Sequence, residues 1–178
     1  MLMPSAFRRR ESAGRAIGCP RREPGNSHAV GRVRLMTGRY AEAEEADIAA
    51  LDLFRQLGDR SGEGWALNDL GRVDALTGRY AAAEEAHAMA LDLFQQLGER
   101  SGQGWALNGL GQVRLMTGRY AAAEEAHTAA LELFRQIGDR HSQADALNNL
   151  GRILQATGNM AGAQEYFTEA RQIQSEIT

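Results

Sequence analysis

Residues 58–97 read GDRSGEGWALNDLGRVDALTGRYAAAEEAHAMALDLFQQL, and residues 98–137 read GERSGQGWALNGLGQVRLMTGRYAAAEEAHTAALELFRQI. These two blocks of 40 residues are identical at 28 of 40 positions, with no gap. A more divergent copy occupies residues 138–178, and the second half of another copy ends at Leu57. A fixed period of this length is typical of structures in which similar units stack in a row and present a binding surface. The repeat therefore favours binding over catalysis.

Each block predicts two antiparallel helices. In the first helix of block 58–97, Leu67, Leu70 and Gly71 share one face. The second helix carries an apolar stripe at three- and four-residue steps: Tyr80, Ala83, His87, Ala90, Leu91, Phe94 and Leu97. Gly78 and Gly98 stand where a left-handed residue can close each helix, and connections this short require antiparallel neighbours. No stretch alternates with a period of two, so no strand is predicted.

Recurring glycines in the first helix predict close helix packing, and one glutamate predicts a helix cap. Gly71, Gly111 and Gly151 recur at the same point of the first helix, where we expect a side chain to block close approach. A glycine inside a helix costs about 1 kcal/mol relative to alanine, so its repetition favours a packing role; inheritance from a duplicated ancestor is the alternative. Glu99 stands where it can cap the helix that follows it.

The recurring positions resemble those of tetratricopeptide repeats. They are Leu67, Leu70, Gly71, Gly78, Tyr80, Ala83 and Ala90, then Leu107, Leu110, Gly111, Gly118, Tyr120, Ala123 and Ala130, then Leu147, Leu150, Gly151, Gly158, Ala163 and Ala170. The resemblance implies an all-α fold, a right-handed α-solenoid of stacked antiparallel helix pairs, here with about three and a half repeats. The period of 40 exceeds the usual 34 and is similar to kinesin-light-chain-like and actinobacterial regulator arrays. Asp74 and Arg114 depart from the large residue that the family usually has there.

The array is predicted over residues 28–178, with a basic arm before it. The repeats are 28–57 (partial), 58–97, 98–137 and 138–178. Residues 1–30 carry six arginines and two glutamates, and their prolines and glycines oppose regular structure. We therefore expect residues 1–27 to be a disordered arm, and an artefact of the assigned start site is the alternative. We also expect uncapped ends, because an apolar stripe continues to Ile177 in the last helix.

A second stripe runs along the first helices, away from their apolar face. Trp65, Asn68 and Arg72 are three and four residues apart, so they share one side of the helix. The resemblance implies that this stripe lines a concave, peptide-binding groove. The predicted groove consists of Trp65, Asn68, Arg72, Trp105, Asn108, Gln112, Asn148 and Arg152.

The residue types of the predicted groove suit an extended peptide. Asparagine can both donate to and accept from a peptide backbone, and arginine can hold a carboxylate with two hydrogen bonds. Tryptophan and arginine are frequent in binding hot spots. The alternative is that the asparagines bond to neighbouring helices and that the tryptophans fill gaps between repeats.

Other recurring polar residues do not point to catalysis or to a cofactor. His87 and His127 lie on the apolar stripe of the second helix, and no cysteine or carboxylate cluster completes a metal site, so core packing is the favoured interpretation. Glu84 and Glu85, like Glu124 and Glu125, are interpreted as a solvated face. The turns lack the glycine spacing and lysine of a phosphate loop, and no nucleophile stands with a base and an orienting group. We therefore expect no enzyme activity, no cofactor and no metal.

The composition indicates a cytoplasmic protein. Cys19 is the single cysteine, so no internal disulfide can form. No stretch resembles a membrane span or a signal peptide. All 20 basic residues are arginine, which indicates the coding bias of a GC-rich, actinobacterial genome.

The sequence thus predicts a non-catalytic protein–protein interaction module that binds a peptide or a partner helix in a concave groove. The sensor part of a bacterial regulatory system is its expected setting. One alternative is a structural scaffold that self-associates into a homo-oligomer through uncapped ends. Another is a detached fragment of a larger ATPase or transcriptional regulator. Nucleic-acid binding through the basic arm is less favoured, and no membrane association is expected.

Overall fold

The computed structural model describes residues 40–177. The predicted arm at 1–27 and residues 28–39 of the partial repeat lie outside the described residues. The described part forms seven α-helices and no strand: α1 (Tyr40–Leu57), α2 (Arg60–Leu76), α3 (Tyr80–Leu97), α4 (Arg100–Met116), α5 (Tyr120–Ile137), α6 (Arg140–Ala156) and α7 (Met160–Ile177). Consecutive helices pack as antiparallel pairs, and the pairs stack into the predicted α-solenoid.

The helix ends follow the repeated turn residues. Every connection between these helices contains a glycine with a φ between 67° and 88°, at Gly58, Gly78, Gly98, Gly118, Gly138 and Gly158, as the sequence predicted. Asp59 caps α2 by accepting from the backbone N–H of Gly62 at 2.9 Å. Asp139 caps α6 by accepting from the N–H of Ser142 at 3.0 Å.

Glu99 does not cap α4 with its side chain, contrary to the prediction. Its carboxylate reaches back to the preceding repeat, where it accepts from Oγ of Ser61 at 2.7 Å and from Nε1 of Trp65 at 2.9 Å. The glutamate side chain is one methylene longer than aspartate. At this position it therefore links two repeats, whereas Asp59 and Asp139 fold back onto their own helices.

Glycines in the first helices make room for rings of the second helices. A Cβ atom at Gly71 would lie 2.9 Å from the ring of His87, and one at Gly111 would lie 2.7 Å from the ring of His127. Both distances are shorter than Cβ contacts in proteins, so the packing role predicted for these glycines is confirmed. At Gly104 the same atom would lie 2.7 Å from the ring of Phe134.

The corners after α2 and α4 are held by ion pairs that bridge repeats, whereas the corner after α6 has Asn159 in place of the arginine. Nη2 of Arg119 lies 2.7 Å from Oε2 of Glu84, and Nε of Arg114 lies 3.3 Å from its Oε1. One repeat earlier, Arg79 contacts Glu44 at 2.8 Å and Asp74 at 2.6 Å. Glu84, interpreted from the sequence as part of a solvated face, keeps 29% of its side chain exposed and in addition pairs with these two arginines. Charged contacts occupy the place where related repeats have a large apolar residue.

The last helix is polar where earlier helices are apolar. Arg171 and Gln174 stand one repeat after Leu131 and Phe134. The two earlier residues are buried among side chains of α6 and α7, whereas the two later ones are exposed. The stripe expected to leave this end open faces inward, with Ala163, Ala170 and Ile173 buried. The structure thus differs from the expectation of an apolar, uncapped end at α7.

Candidate functional site

Five of the eight predicted groove residues line one cavity between the first helices of successive repeats. Asn68 and Arg72 enter it from α2, and Trp105, Asn108 and Gln112 enter it from α4. The cavity has a volume of about 260 Å³. The helical spacing of three and four residues brings these side chains together, because α2 and α4 pack side by side.

The other three predicted groove residues lie outside this cavity. Trp65 donates from Nε1 to Oε1 of Glu99 at 2.9 Å, and its ring centroid lies 5.0 Å from that of Phe94. Trp65 therefore packs between repeats, as the alternative interpretation held. Asn148 is partly buried on α6, and Arg152 is exposed one turn further along.

The asparagines of the cavity are anchored by histidines that the sequence analysis placed in the core. Nδ1 of His87 lies 2.9 Å from Oδ1 of Asn68, and Nδ1 of His127 lies 2.9 Å from Oδ1 of Asn108. An amide oxygen can only accept, so Nδ1 carries the hydrogen and donates. Asn68 is only 6% exposed. These asparagines thus bond to the neighbouring helix, as the alternative held, and at the same time line the cavity.

Both histidines are neutral at physiological pH. Burial, and secondly the positive charge of Arg72, lower the pKa of His87 from 6.5 to about 4. Burial, and secondly the charge of Arg152, lower the pKa of His127 to about 4 in the same way. A neutral imidazole that donates from Nδ1 leaves Nε2 without a hydrogen. These rings are therefore fixed donors that orient the asparagine amides.

Arg72 carries a paired charge. Its Nη2 lies 3.1 Å from Oδ1 of Asp69, one turn earlier on the same helix. A guanidinium that already has a carboxylate partner attracts a second carboxylate less strongly. The next repeats have Gly109 and Asn149 where this one has Asp69, so the pair belongs to this repeat.

Sequence reasoning did not identify several residues of the cavity. Leu76 and Met116 form part of its wall, and His87 and Gly109 lie beside the asparagines. Leu76 and Met116 are the last residues of α2 and α4, which the spacing of the stripe did not include. Gly109 did carry a signal, because it differs from both Asp69 and Asn149 in otherwise similar repeats.

Two further properties concern the described residues alone. Residues 40–177 hold no group of three or more His, Cys, Asp or Glu side chains suited to a metal ion. Each helix in that range is too short or too polar to cross a bilayer.

The comparisons with known proteins agree on one architecture. The sequence model of the tetratricopeptide repeat matches residues 25–96 and 97–176. No curated protein matches the sequence significantly.

Solved structures with the same architecture share little sequence identity with this chain. BtubC (BKLC) from P. vanneervenii is 20% identical with a TM-score of 0.70, over 83% of this chain and 61% of that one. A Rap protein complexed with Competence and Sporulation Factor is 18% identical with a TM-score of 0.74, over 82% of this chain and 41% of that one. A putative kinesin light chain with nearly identical TPR-like repeats from Podosopora anserina is 14% identical with a TM-score of 0.55, over 85% and 94%. At these identities the likeness shows the fold, and the chain spans under two thirds of the first two proteins.

Proposed function

The chain belongs to the tetratricopeptide repeat family, and we propose that it is a protein-interaction module that holds an extended peptide in the predicted groove. Repeats of this family typically form non-catalytic scaffolds. The observation that supports the peptide is the shared cavity of Asn68, Arg72, Trp105, Asn108 and Gln112. Amides on two successive repeats can bond to backbone groups of a peptide whatever its side chains are.

The asparagines contribute to this groove through their amide nitrogens. Because Oδ1 of Asn68 and Oδ1 of Asn108 accept from histidines, the NH₂ groups are the part of each amide left to donate to a ligand. A bound peptide would therefore present carbonyl oxygens to these two positions. Replacing Asn68 by alanine would also remove a buried hydrogen bond, so it is a poor test of binding alone.

Gln112 offers a sharper test than the asparagines. It lines the cavity, whereas Gln136 is exposed on α5 and does not line it. Gln112→Glu and Gln136→Glu make the same chemical change at the two positions. Peptides would be selected from a displayed random library on the immobilised full chain, and their Kd measured by fluorescence polarisation. We expect Gln112→Glu to weaken binding about tenfold or more, because it leaves a charge desolvated beside the peptide.

The matched variant locates the site. Gln136→Glu should bind the selected peptides as wild type does. If both variants bind equally well, or if the library yields no peptide at all, the groove proposal is wrong. Circular dichroism on each variant checks that helicity is retained.

A sensor role in a bacterial regulatory system is the setting we propose for this groove. Support comes from the fold shared with a Rap protein that was solved with Competence and Sporulation Factor. This chain spans 41% of that Rap chain, so it corresponds in extent to a part of such a protein. Self-association through the ends has less support, because the outer face of α7 is polar.

A further inference from the structure

The cavity between α2 and α4 is lined by a glycine at a position where the other repeats carry a side chain. Gly109 stands where the preceding repeat has Asp69 and the following one has Asn149. The amide of Asn149 reaches back to the previous repeat and donates to Oδ1 of Asn108 at 3.3 Å. Since residue 109 has no side chain, no such amide reaches Asn68, and the ring of His87 lies against the backbone of Gly109 instead.

His87 leaves no room for a side chain at position 109. A Cβ atom at position 109 would lie 2.6 Å from Nε2 of His87, which is closer than real Cβ contacts come. The imidazole and the backbone of Gly109 therefore lie against each other and both line the cavity. At the positions equivalent to His87 and Gly109, the following repeat has His127 and Asn149.

The walls of the cavity are mainly apolar. Trp105 forms one side, and Leu76 and Met116 stand at the mouth, where they are 45% and 44% exposed. Large apolar side chains left exposed around a recess are typical of ligand-binding surfaces. The walls therefore suit an apolar group that enters from the groove.

The polar groups of the cavity carry no unbalanced charge. Arg72 is paired with Asp69 at 3.1 Å, and the imidazole of His87 is neutral because burial lowers its pKa to about 4. Asn108 and Gln112 contribute neutral amides. An ionised ligand group would lose its hydration here without gaining a free counter-charge. The cavity therefore suits an uncharged group, next to which the amides of Asn108 and Gln112 can bond to a peptide backbone.

The size of the cavity limits the occupant further. Pockets for whole small molecules measure about 300–1,000 Å³, and this cavity measures about 260 Å³. We propose that it is a subsite for one bulky, uncharged apolar side chain of the bound peptide, of the leucine, methionine or phenylalanine class. The proposal rests on the proposed peptide groove and adds the residue class that the groove requires at this point.

The two tryptophans provide an internal comparison for a test. Both rings pack against a phenylalanine, Trp65 against Phe94 at 5.0 Å and Trp105 against Phe134 at 5.3 Å, but only Trp105 also lines the cavity. The probes are N-acetyl amides of phenylalanine, leucine, glycine, aspartate and lysine, titrated into the ¹⁵N-labelled full chain. We expect saturable shifts of the Trp105 indole N–H with the phenylalanine and leucine probes, with a Kd of about 1 mM. The other three probes should bind at least about tenfold more weakly, and the Trp65 signal should stay unchanged.

Two methionines supply a matched pair of variants. Met116 stands at the mouth of the cavity and Met89 lies elsewhere on α3, and each is 44% exposed. Met116→Glu should weaken binding of the phenylalanine probe about tenfold, because it places a charge at an apolar entrance. Met89→Glu should leave that binding unchanged. Both sites are exposed enough for the variants to fold.

The outcomes separate this proposal from the proposed function. The subsite is refuted if Trp105 shows no saturable shift, if the aspartate probe binds equally well, or if the two methionine variants behave alike. It is also refuted if library-selected peptides bind through Gln112 but require no apolar residue, and the groove proposal then stands. If the probes bind at Trp105 but Gln112→Glu weakens the binding of no selected peptide, the groove proposal is refuted. The proposed peptide subsite is then refuted as well, because it rests on the groove.

Discussion

At the scale of single residues, His87 links the core of the array to its groove. Its ring fills the space that Gly71 leaves, and its Nδ1 orients the amide of Asn68 at 2.9 Å. The last repeat has Phe167 at the equivalent position, against Gly151. An aromatic ring is therefore the packing requirement, whereas the hydrogen bond is specific to repeats with histidine.

The buried histidine should make stability depend on pH. The pKa of His87 is about 4 in the folded chain and about 6.5 when unfolded, so the unfolded state takes up a proton first as pH falls. The contribution is complete above pH 6.5 and is lost towards pH 4. Between pH 7 and pH 4.5, we expect wild type to lose about 2–3 kcal/mol more unfolding free energy than His87→Phe.

Urea unfolding at the two pH values measures this difference. His141→Phe, which removes an exposed histidine, is the control. Equal losses of stability in wild type and in His87→Phe would show that the buried imidazole is not the source of the pH dependence.

The effects of substitutions at Gly104 and Phe134 on stability should also be coupled. Gly104→Ala gains about 1 kcal/mol of helix propensity but places a Cβ 2.7 Å from the ring of Phe134, and overpacking costs about 1–3 kcal/mol. We expect a net loss of stability in wild type. In a Phe134→Leu background the same change should be neutral or stabilising. A double-mutant cycle by chemical denaturation measures the coupling, and the same cost in both backgrounds would contradict the packing argument.

At the scale of helices, the repeats are joined by charges as well as by apolar contacts. Glu84 on α3 accepts two hydrogen bonds from Arg119, at 2.7 Å and 3.1 Å, and the pKa of Glu84 is lowered by that contact and by Arg114. In the last repeat Asn159 replaces the arginine. Glu124, the equivalent of Glu84, is exposed.

This difference gives a matched pair of substitutions. Glu84→Gln should lower stability by about 0.5–1 kcal/mol at low ionic strength, since exposed pairs contribute little. Glu124→Gln should change stability by clearly less. The loss at Glu84 should shrink in about 1 M salt, which screens the pair. Thermal unfolding at two salt concentrations tests this. Equal effects of the two substitutions would show that the inter-repeat ion pair does not contribute to stability.

Sequence reasoning predicted the helices and their ends because those signals are local. The left-handed glycines and the apolar stripes depend on neighbours within one or two turns. It mistook the role of Glu99 and missed the ion pair of Glu84, because each bonds to a different repeat, some 35 to 38 residues away. The part of the candidate site contributed by His87 and Gly109 was missed for the same reason, since it arises only where two repeats meet.

At the scale of the whole molecule, the described array is a row of similar interfaces, and its last described helix, α7, is polar on its outer face. Leu131 and Phe134 pack into the next repeat, and Arg171 and Gln174 take their places in α7. Polar terminal units keep such arrays soluble, because an apolar end would stack on another molecule. The outer face of α7 has this property, which the stripe ending at Ile177 did not reveal.

Apolar residues placed on the outer face of α7 should cause the protein to self-associate. We expect the double variant Arg171→Leu/Gln174→Phe to self-associate as its concentration rises, since it recreates the surface that packs between repeats. The control is Gln164→Leu/Thr168→Phe, at positions whose equivalents in α5 are exposed within the array. Light scattering over a concentration series separates the two. The capping role is wrong if the double variant behaves like the control.

The polar outer face of α7 also affects where further repeats can be added to the array by duplication. Each interior unit has an apolar side that packs against the complementary side of the next unit, so a duplicated stretch of 40 residues inserted between two units finds a complementary surface at each junction. A unit added behind α7 would meet Arg171 and Gln174 and would have no apolar partner. Tandem duplication in steps of one repeat is therefore better accommodated between units, upstream of residue 138, than directly behind α7.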